Sequence, residues 1–329
     1  MMTTYNIAIL GAGHIAEKMA HTLQHLPRAN SYAVASRSLE KAQLFAQRWG
    51  ISKAYGCYAD MLADPAIDLV YVATPHAMHY SHVLQCLQAG KAVLCEKAFT
   101  CNAREAEALI HEAEARHLLL AEAIWTRYMP LMQTLKQLTD SGIIGQPRTL
   151  TANLSYPISH KERIQRPDLG GGALLDIGVY ALNFAAMLFG TDIKKIDSSC
   201  EKTLSGMDAQ DSITLWYNDG KMAQLSSSIY VRSDRQGVIS GTDGHIIVEN
   251  INNPSRLTVV NNQYQVIKMC EAPIQITGFE YEVEACLNAL DHHNIETPFM
   301  PHAETLRLMR LMDTLRQQWD VRFPNDEAR

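Results

Sequence analysis

Asn6-Ile7-Ala8-Ile9-Leu10-Gly11-Ala12-Gly13-His14-Ile15-Ala16 is the stretch that decides the fold of this 329-residue chain. A short apolar run stops at the first glycine. A helical pattern starts after the second, with Ile15, Met19, Leu23 and Leu26 on one face. The result is G-x-G-x-x-A between a strand and a helix. In that setting the first glycine permits a tight turn, the second lets a pyrophosphate approach the backbone, and the small third residue lets the helix pack on the strand. The phosphates then meet free N–H groups at the helix N-terminus. The same letters also describe a plain strand–helix turn. Their place inside a strand–helix–strand unit favours a dinucleotide site formed by Gly11, Ala12, Gly13, His14, Ile15 and Ala16.

Working outward, Ser31–Ala35, Leu69–Ala73, Ala92–Cys95 and Leu118–Ala121 join Asn6–Leu10 as short apolar strands separated by helical stretches. Asn102 with Glu105 forms a capping box ahead of a helix running to about His117. Alternating strands and helices imply an α/β Rossmann domain with a parallel sheet over residues 1–122. From residue 123 the pattern changes to longer alternating runs at Arg148–Tyr156, Ser212–Tyr217, Met222–Tyr230, His245–Val248, Leu257–Val260 and Tyr264–Met269. Turn signals at Asn218-Asp219-Gly220, Thr242-Asp243-Gly244 and Asn261-Asn262 separate several of them. Apolar helices are expected at 173–189 and 278–291, and an amphipathic one at 302–318. Residues 123–329 therefore read as an α+β domain with a mostly antiparallel open sheet, whose last helix is free to pack back on the first domain.

Composition sets the class. Apolar residues make up 47% and charged residues 19%, as in a soluble globular protein with a sizeable core. The net charge of −6, without blocks of Lys or Arg, argues against nucleic acid and anionic membranes as partners. No transmembrane helix is expected, and the residues before Ile7 lack the basic start of a secretory signal. The seven cysteines are scattered without a C-x-x-C pair, which suits a reducing cytoplasm.

The second strand ends in Ser36-Arg37-Ser38. NAD sites place an acid here to hold the ribose hydroxyl. A guanidinium between two hydroxyls suits a 2′-phosphate instead, so NADP is expected, with NAD as the alternative. Thr74-Pro75-His76 and His79 follow a strand at the sheet edge where ligands collect, and are assigned to the cofactor site. His76, His79 and His82 have no acidic or thiol ligand beside them and diverge around a helix, so no metal is expected. Cys95-Glu96-Lys97 closes a buried strand, and its lysine must face a cleft or solvent. It is read equally well as a proton-transfer helper or as a snorkelling rim residue. Asp176 and Tyr180 share one face of an apolar helix opened by Gly170-Gly171-Gly172. Both need polar partners if buried, and Lys97 is a candidate for each. Tyr180 near a Lys⁺ is an acid/base candidate. The plainer alternative makes Asp176 a cap or ion-pair member and Tyr180 part of the core.

Together G-A-G-H-I-A, A-T-P-H-A-M-H, A-G-K-A-V-L-C-E-K and G-G-G-A-L-L-D-I-G resemble the glucose–fructose oxidoreductase/inositol dehydrogenase (Gfo/Idh/MocA) family over nearly the whole chain. The family's E-K-P lysine, catalytic or cofactor-contacting, falls on Lys97, with Ala98 in place of the proline, and the resemblance assigns Glu96 with Lys97 to the cofactor site. Tyr180, where many members carry histidine, and the run Glu122-Ala-Ile-Trp-Thr-Arg-Tyr128 resemble the dimeric dihydrodiol dehydrogenase branch, which includes NADP-dependent D-xylose dehydrogenases. The resemblance implies an NADP-dependent enzyme moving hydride to or from a small hydroxyl or carbonyl substrate. It implies catalysis by Tyr180, Lys97 and Asp176, and substrate contacts from Trp125, Arg148, Phe279 and Tyr180. It also implies a homo-oligomer, a dimer first, built through the second sheet. A dehydrogenase of another sugar or cyclitol, or a cofactor-binding regulator without turnover, are the alternatives; the presence of both Lys97 and Tyr180 argues against the regulator.

Overall fold

The computed structural model describes residues 3–326, so positions 1–2 and 327–329 of the two expected domains lie outside it. In chain order the first elements are β1 (Tyr5–Leu10), α1 (His14–Leu23), β2 (Ala29–Ala35), α2 (Leu39–Trp49), β3 (Lys53–Tyr55), α3 (Tyr58–Leu62), β4 (Leu69–Val72), α4 (His76–Gln88), β5 (Ala92–Glu96), α5 (Ala103–Arg116) and β6 (Leu120–Ala123). The six strands form one parallel sheet in the order β3-β2-β1-β4-β5-β6. The chain leaves β1 to one side for β2 and returns on its other side as β4. That reversal is where ligands of open α/β sheets bind. β4 and β5 are buried along their whole length, as parallel strands covered on both faces must be. β3 is the strand that periodicity missed, because it has three residues and none is fully buried.

The chain divides into two compact units at places other than residue 123. The first holds Met1–Trp125 and Gln275–Leu306; the second holds Thr126–Ile274 and Arg307–Arg329. The return to the first unit is stitched by polar contacts. Tyr5 donates its hydroxyl to Asp291 at 2.8 Å, Arg28 donates to Asn288 at 2.8 Å and also holds Asp291, and Thr305 donates to the buried Glu122 at 2.8 Å. The helix carrying Asp291 and Asn288 is Glu280–Asp291, and the helix His302–Trp319 has its start in the first unit and its remainder in the second. The first unit is thus discontinuous in sequence, unlike the expected 1–122 block.

The second unit contains α6 (Pro130–Asp140), β7 (Pro147–Ser155), a single turn α7 (Glu162–Gln165), α8 (Val179–Phe189), β8 (Ile193–Lys202), β9 (Asp208–Tyr217), β10 (Met222–Ser228), β11 (Gly237–Gly241), β12 (Gly244–Val248), β13 (Arg256–Asn261) and β14 (Val266–Glu271). Its eight strands run β14-β13-β12-β11-β7-β10-β9-β8, antiparallel except for the β7–β10 pair. α8 packs on β7 and β10 and is buried on every side, which its nearly all-apolar sequence requires. The stretch Pro167–Phe189 is apolar and long enough to cross a bilayer by length and composition alone, but 94% of its most apolar window is buried within protein. Strand alternation places Leu150, Ala152, Ala223, Leu225, Ile213 and Leu215 on the buried side of the sheet. A row in register on the opposite side, Thr214-Gln224-Thr151-Val238-Ile247-Thr258-Met269, is exposed or half-exposed.

Polar groups of this sheet lie beneath the turn that leads into α8. Asp208 accepts from the Leu174 N–H at 2.5 Å, and Asp211 accepts from the Ser227 N–H at 3.0 Å and from its hydroxyl. Burial, with Asp208 nearby, pushes the Asp211 carboxyl up to about 7 despite the Ser227 contacts. Its unfolded value is about 3.9, so the folded protein binds the extra proton between those values. This contribution is present in acid and is lost as pH rises through the folded value. Asp211→Asn keeps both Ser227 contacts and never ionises. The variant should melt higher than the parent at pH ~8 and lose that advantage toward pH ~5. A pH-independent difference in melting temperature would contradict the assignment.

Candidate active site

In the first unit, the loop between β1 and α1 has two glycines with different duties. Gly11 sits at φ +104°, and a Cβ there would lie 2.9 Å from the Ala73 carbonyl oxygen. It is glycine because β4 comes so close. Gly13 has an ordinary extended backbone at φ −95°, and an added Cβ would meet no atom within 4 Å. The protein's own packing does not demand glycine there, and the bare backbone leaves room for a ligand to approach closely. Gly13 is the N-cap of α1 with no side-chain hydrogen bond closing that end, so the helix's first N–H groups point out uncapped by side chains. Ala16 is fully buried against the sheet, Ala12 and Ile15 are half-buried, and the His14 side chain is 94% exposed. These features fit a pyrophosphate.

At the end of β2, Ser36 is buried and Arg37 is exposed. No carboxylate pairs with Arg37 among the described residues, and its charge is felt by Tyr58 and His82. Ser38 serves the fold, since its hydroxyl caps α2 by accepting from the Lys41 N–H at 3.3 Å.

The histidines after β4 hold protein to protein. His79 is fully buried. Its Nδ1 lies 2.9 Å from the Ala98 carbonyl and 3.2 Å from that of Phe99, and its Nε2 lies 2.8 Å from that of Thr74. The imidazole therefore ties the loop after β4 to the loop after β5. The expected cofactor contact is corrected, because both ring nitrogens already face backbone. His82 Nδ1 meets the Thr74 hydroxyl at 3.0 Å. Pro75 is exposed as the N-cap of α4, and His76 is buried beside His79 with ring centroids 5.7 Å apart.

Glu96 is likewise turned inward. It accepts the Tyr71 hydroxyl and, at 3.2 Å, the Lys97 N–H. Burial raises its pKa, and burial together with Glu96 raises that of fully buried Glu282 well above the carboxylate range. Neither Glu282 oxygen has a hydrogen-bond partner among the described residues. Glu96 thus belongs to an interior acid pair rather than to the cofactor surface. Lys97, next in the chain, is half-buried, and its peptide bond to Ala98 is cis. Trp125 and Phe279 stack edge-on with centroids 5.0 Å apart, and the Lys18 ammonium lies 4.8 Å from each ring. Both aromatic residues are buried in the first unit, and Lys18 was not foreseen beside them.

In the second unit, Leu174–Gly178 forms one wide π-helical turn that runs into α8, where a continuous α-helix was expected. Such turns are rare and are often found at functional sites. Asp176 lies on it and Tyr180 begins α8; they are 7% and 8% exposed. Asp176 is gripped by Arg163, whose Nη1 and Nη2 donate to its two oxygens at 2.9 and 3.0 Å. Sequence reasoning did not find this partner. Farther along, Asn183 accepts from Arg127 Nε at 2.6 Å and donates to the Thr126 hydroxyl at 3.2 Å, which anchors the turn Trp125–Tyr128. Arg148 is elsewhere. It is exposed, donates to Gln146 at 2.9 Å, and lines a hollow with Leu188, Asp219 and Lys221. Leu188 is eight residues beyond Tyr180 on α8, about 12 Å along the axis at ~1.5 Å per residue. The structure therefore separates Arg148 from Tyr180, instead of lining one pocket with both.

Residues 5–123 match the description "Oxidoreductase family, NAD-binding Rossmann fold", and residues 132–247 match "GFO/IDH/MocA C-terminal domain". The chain is 33% identical to trans-1,2-dihydrobenzene-1,2-diol dehydrogenases of Mus musculus and Homo sapiens, covering 97% of this chain and 98% of each relative. Among solved structures it resembles a 3-ketoreductase from Actinomadura kijaniata in complex with NADP and TDP-benzene, with a TM-score of 0.87 at 25% identity over 96% of this chain and 98% of that one. An aldose-aldose oxidoreductase from Caulobacter crescentus shares the fold at 21% identity, with a TM-score of 0.87 over 95% of this chain and 97% of that one. The uncapped nucleotide loop, the six-stranded parallel sheet and the open eight-stranded sheet thus lie in a chain that belongs to the GFO/IDH/MocA family of oxidoreductases.

Proposed function

We propose that this oxidoreductase works with NADP on a small hydroxyl or carbonyl substrate, a trans-dihydrodiol or an aldose such as D-xylose. The observation that carries the cofactor choice is Arg37. It is exposed at the end of β2, has no acidic partner among the described residues, and stands where an NAD site would place an acid. The substrate class rests on the near full-length likeness to the dihydrodiol dehydrogenases. When bound, the cofactor accepts or returns the hydride. The chain's own residues handle the proton. Tyr180 takes it from the substrate hydroxyl in oxidation and gives it back in reduction, and Lys97 stabilises the phenolate. Asp176 supplies an ordered carboxylate one turn from Tyr180. The reading places the enzyme in the cytoplasm as a homodimer. Support for the dimer is the row Val238-Ile247-Thr258-Met269 on the second sheet, half-exposed except for exposed Met269, whose apolar members are unusual for a free face.

The test is a panel of pentoses, hexoses, cyclitols and trans-dihydrodiols with NADP⁺ and NAD⁺, followed by NAD(P)H absorbance. Turnover with a dihydrodiol or an aldose, faster with NADP⁺, is expected. A charge-assisted contact contributes about 1.5–3 kcal/mol, so Arg37→Ala should raise KM for NADP⁺ roughly ten- to hundredfold and leave that for NAD⁺ nearly unchanged. Gly13→Val should stay folded and bind neither cofactor. Equal effects of Arg37→Ala on both cofactors would remove Arg37 from the phosphate role. Tyr180→Phe should leave NADPH binding intact and lower kcat by roughly two orders of magnitude or more, and adding Lys97→Met should cost little further. Near-normal turnover by Tyr180→Phe would refute the proton-transfer assignment.

A further inference from the structure

The glycine triplet ahead of Asp176 is built to seat Arg163. The Gly171 N–H donates to the Arg166 carbonyl at 3.0 Å, and the Gly172 N–H donates to that of Ile164 at 2.9 Å. A Cβ on Gly171 would stand 2.5 Å from the Ile164 oxygen and 2.8 Å from that of Arg163. Gly172, at φ +100°, would push its Cβ to 2.2 Å from an Asp208 carboxylate oxygen, the same side chain that caps Leu174. Only residues without a side chain allow α7 to lie directly on the loop that opens the helix. Ile164 is completely buried and anchors that turn. The clamp leaves its neighbour Arg163 facing Asp176.

From this geometry we infer that Arg163 is a positioning residue for the reaction: its fork holds Asp176 ionised and in one orientation, one turn before Tyr180. Two parallel N–H···O bonds fix both the plane and the charge of a carboxylate, which a single contact would leave free to swing. The exposures suit this role. The Arg163 side chain is 42% exposed and the Asp176 side chain 9%, so the cation stays hydrated while its fork covers a carboxylate that could not be buried alone. This inference rests on the dehydrogenase reading above, with Asp176 in its site.

The experiment uses the full-length protein and the best substrate of the panel. Arg163→Ala, assayed well below its melting temperature, is expected to lower kcat/KM tenfold or more, chiefly through kcat, with the affinity for NADPH close to the parent's, and its melting temperature should fall because buried Asp176 loses its partner. Added guanidinium ion should restore part of the lost kcat in Arg163→Ala and none in Asp176→Asn. Arg163→Lys, which keeps the charge but loses the fork, should fall between the parent and Arg163→Ala, and it serves in its place if the alanine variant does not fold. A parental kcat/KM in Arg163→Ala would overturn the inference while leaving the dehydrogenase reading intact. So would a loss of kcat in the folded variant that guanidinium does not rescue. A parent protein inactive on the whole panel would overturn both.

Discussion

A carboxylate taken out of water must find a partner or keep its proton, and much of the second unit is arranged around that demand. α8 and the π-helical turn before it are buried on all sides, yet that turn carries Asp176 and rests over Asp208 and Asp211. Each acid meets the demand differently. Asp176 takes a forked arginine, Asp208 caps the helix start, and Asp211 takes a serine and a raised affinity for its proton. The consequence is a polar helix end inside an apolar layer, with Tyr180 in the first turn of α8 beside it.

The first unit meets a different constraint. The strand order of its parallel sheet reverses at β1, and the strand ends there crowd together: Gly11 has no room for a Cβ beside Ala73. Gly13, two residues on, has room to spare. Close packing explains one glycine and does not explain the other, a difference that letters alone do not show. The same unit uses His79 to join its own loops and Glu96 in an interior pair, while Lys97, next in the chain, is half-buried.

Much of this is legible in the residues. β1, β2, β4, β5 and β6 are short apolar runs next to helical patterns, and the glycine loop stands in its proper context. What escapes lacks the physical signal used to find it. β8 has no fully buried residue, so no apolar alternation marks it, and β11 is bounded by glycines at both ends. The return of Glu280–Asp291 to the first unit depends on contacts such as Tyr5 with Asp291, hundreds of residues apart in sequence. Glu96 reads with Lys97 in the sequence because they adjoin, although neighbours at a strand end point to opposite sides. Arg163 lies in a polar single-turn helix thirteen residues before its partner, a spacing with no periodic meaning. The family motifs supply Lys97, Asp176 and Tyr180, but they say nothing about what holds Asp176.

The central claim is that this chain moves a hydride between a carbinol carbon and a nicotinamide while its own residues move the proton. The most direct measurement is isotopic. The parent protein would be given NADP⁺ and a substrate deuterated at the carbinol carbon, either a trans-dihydrodiol or D-xylose labelled at C1, and the reduced nucleotide would be examined by mass spectrometry and proton NMR. The account predicts one deuteron on one face of nicotinamide C4 in every turnover and none lost to water. Unlabelled NADPH, or binding of NADPH with no transfer from either substrate, would contradict it.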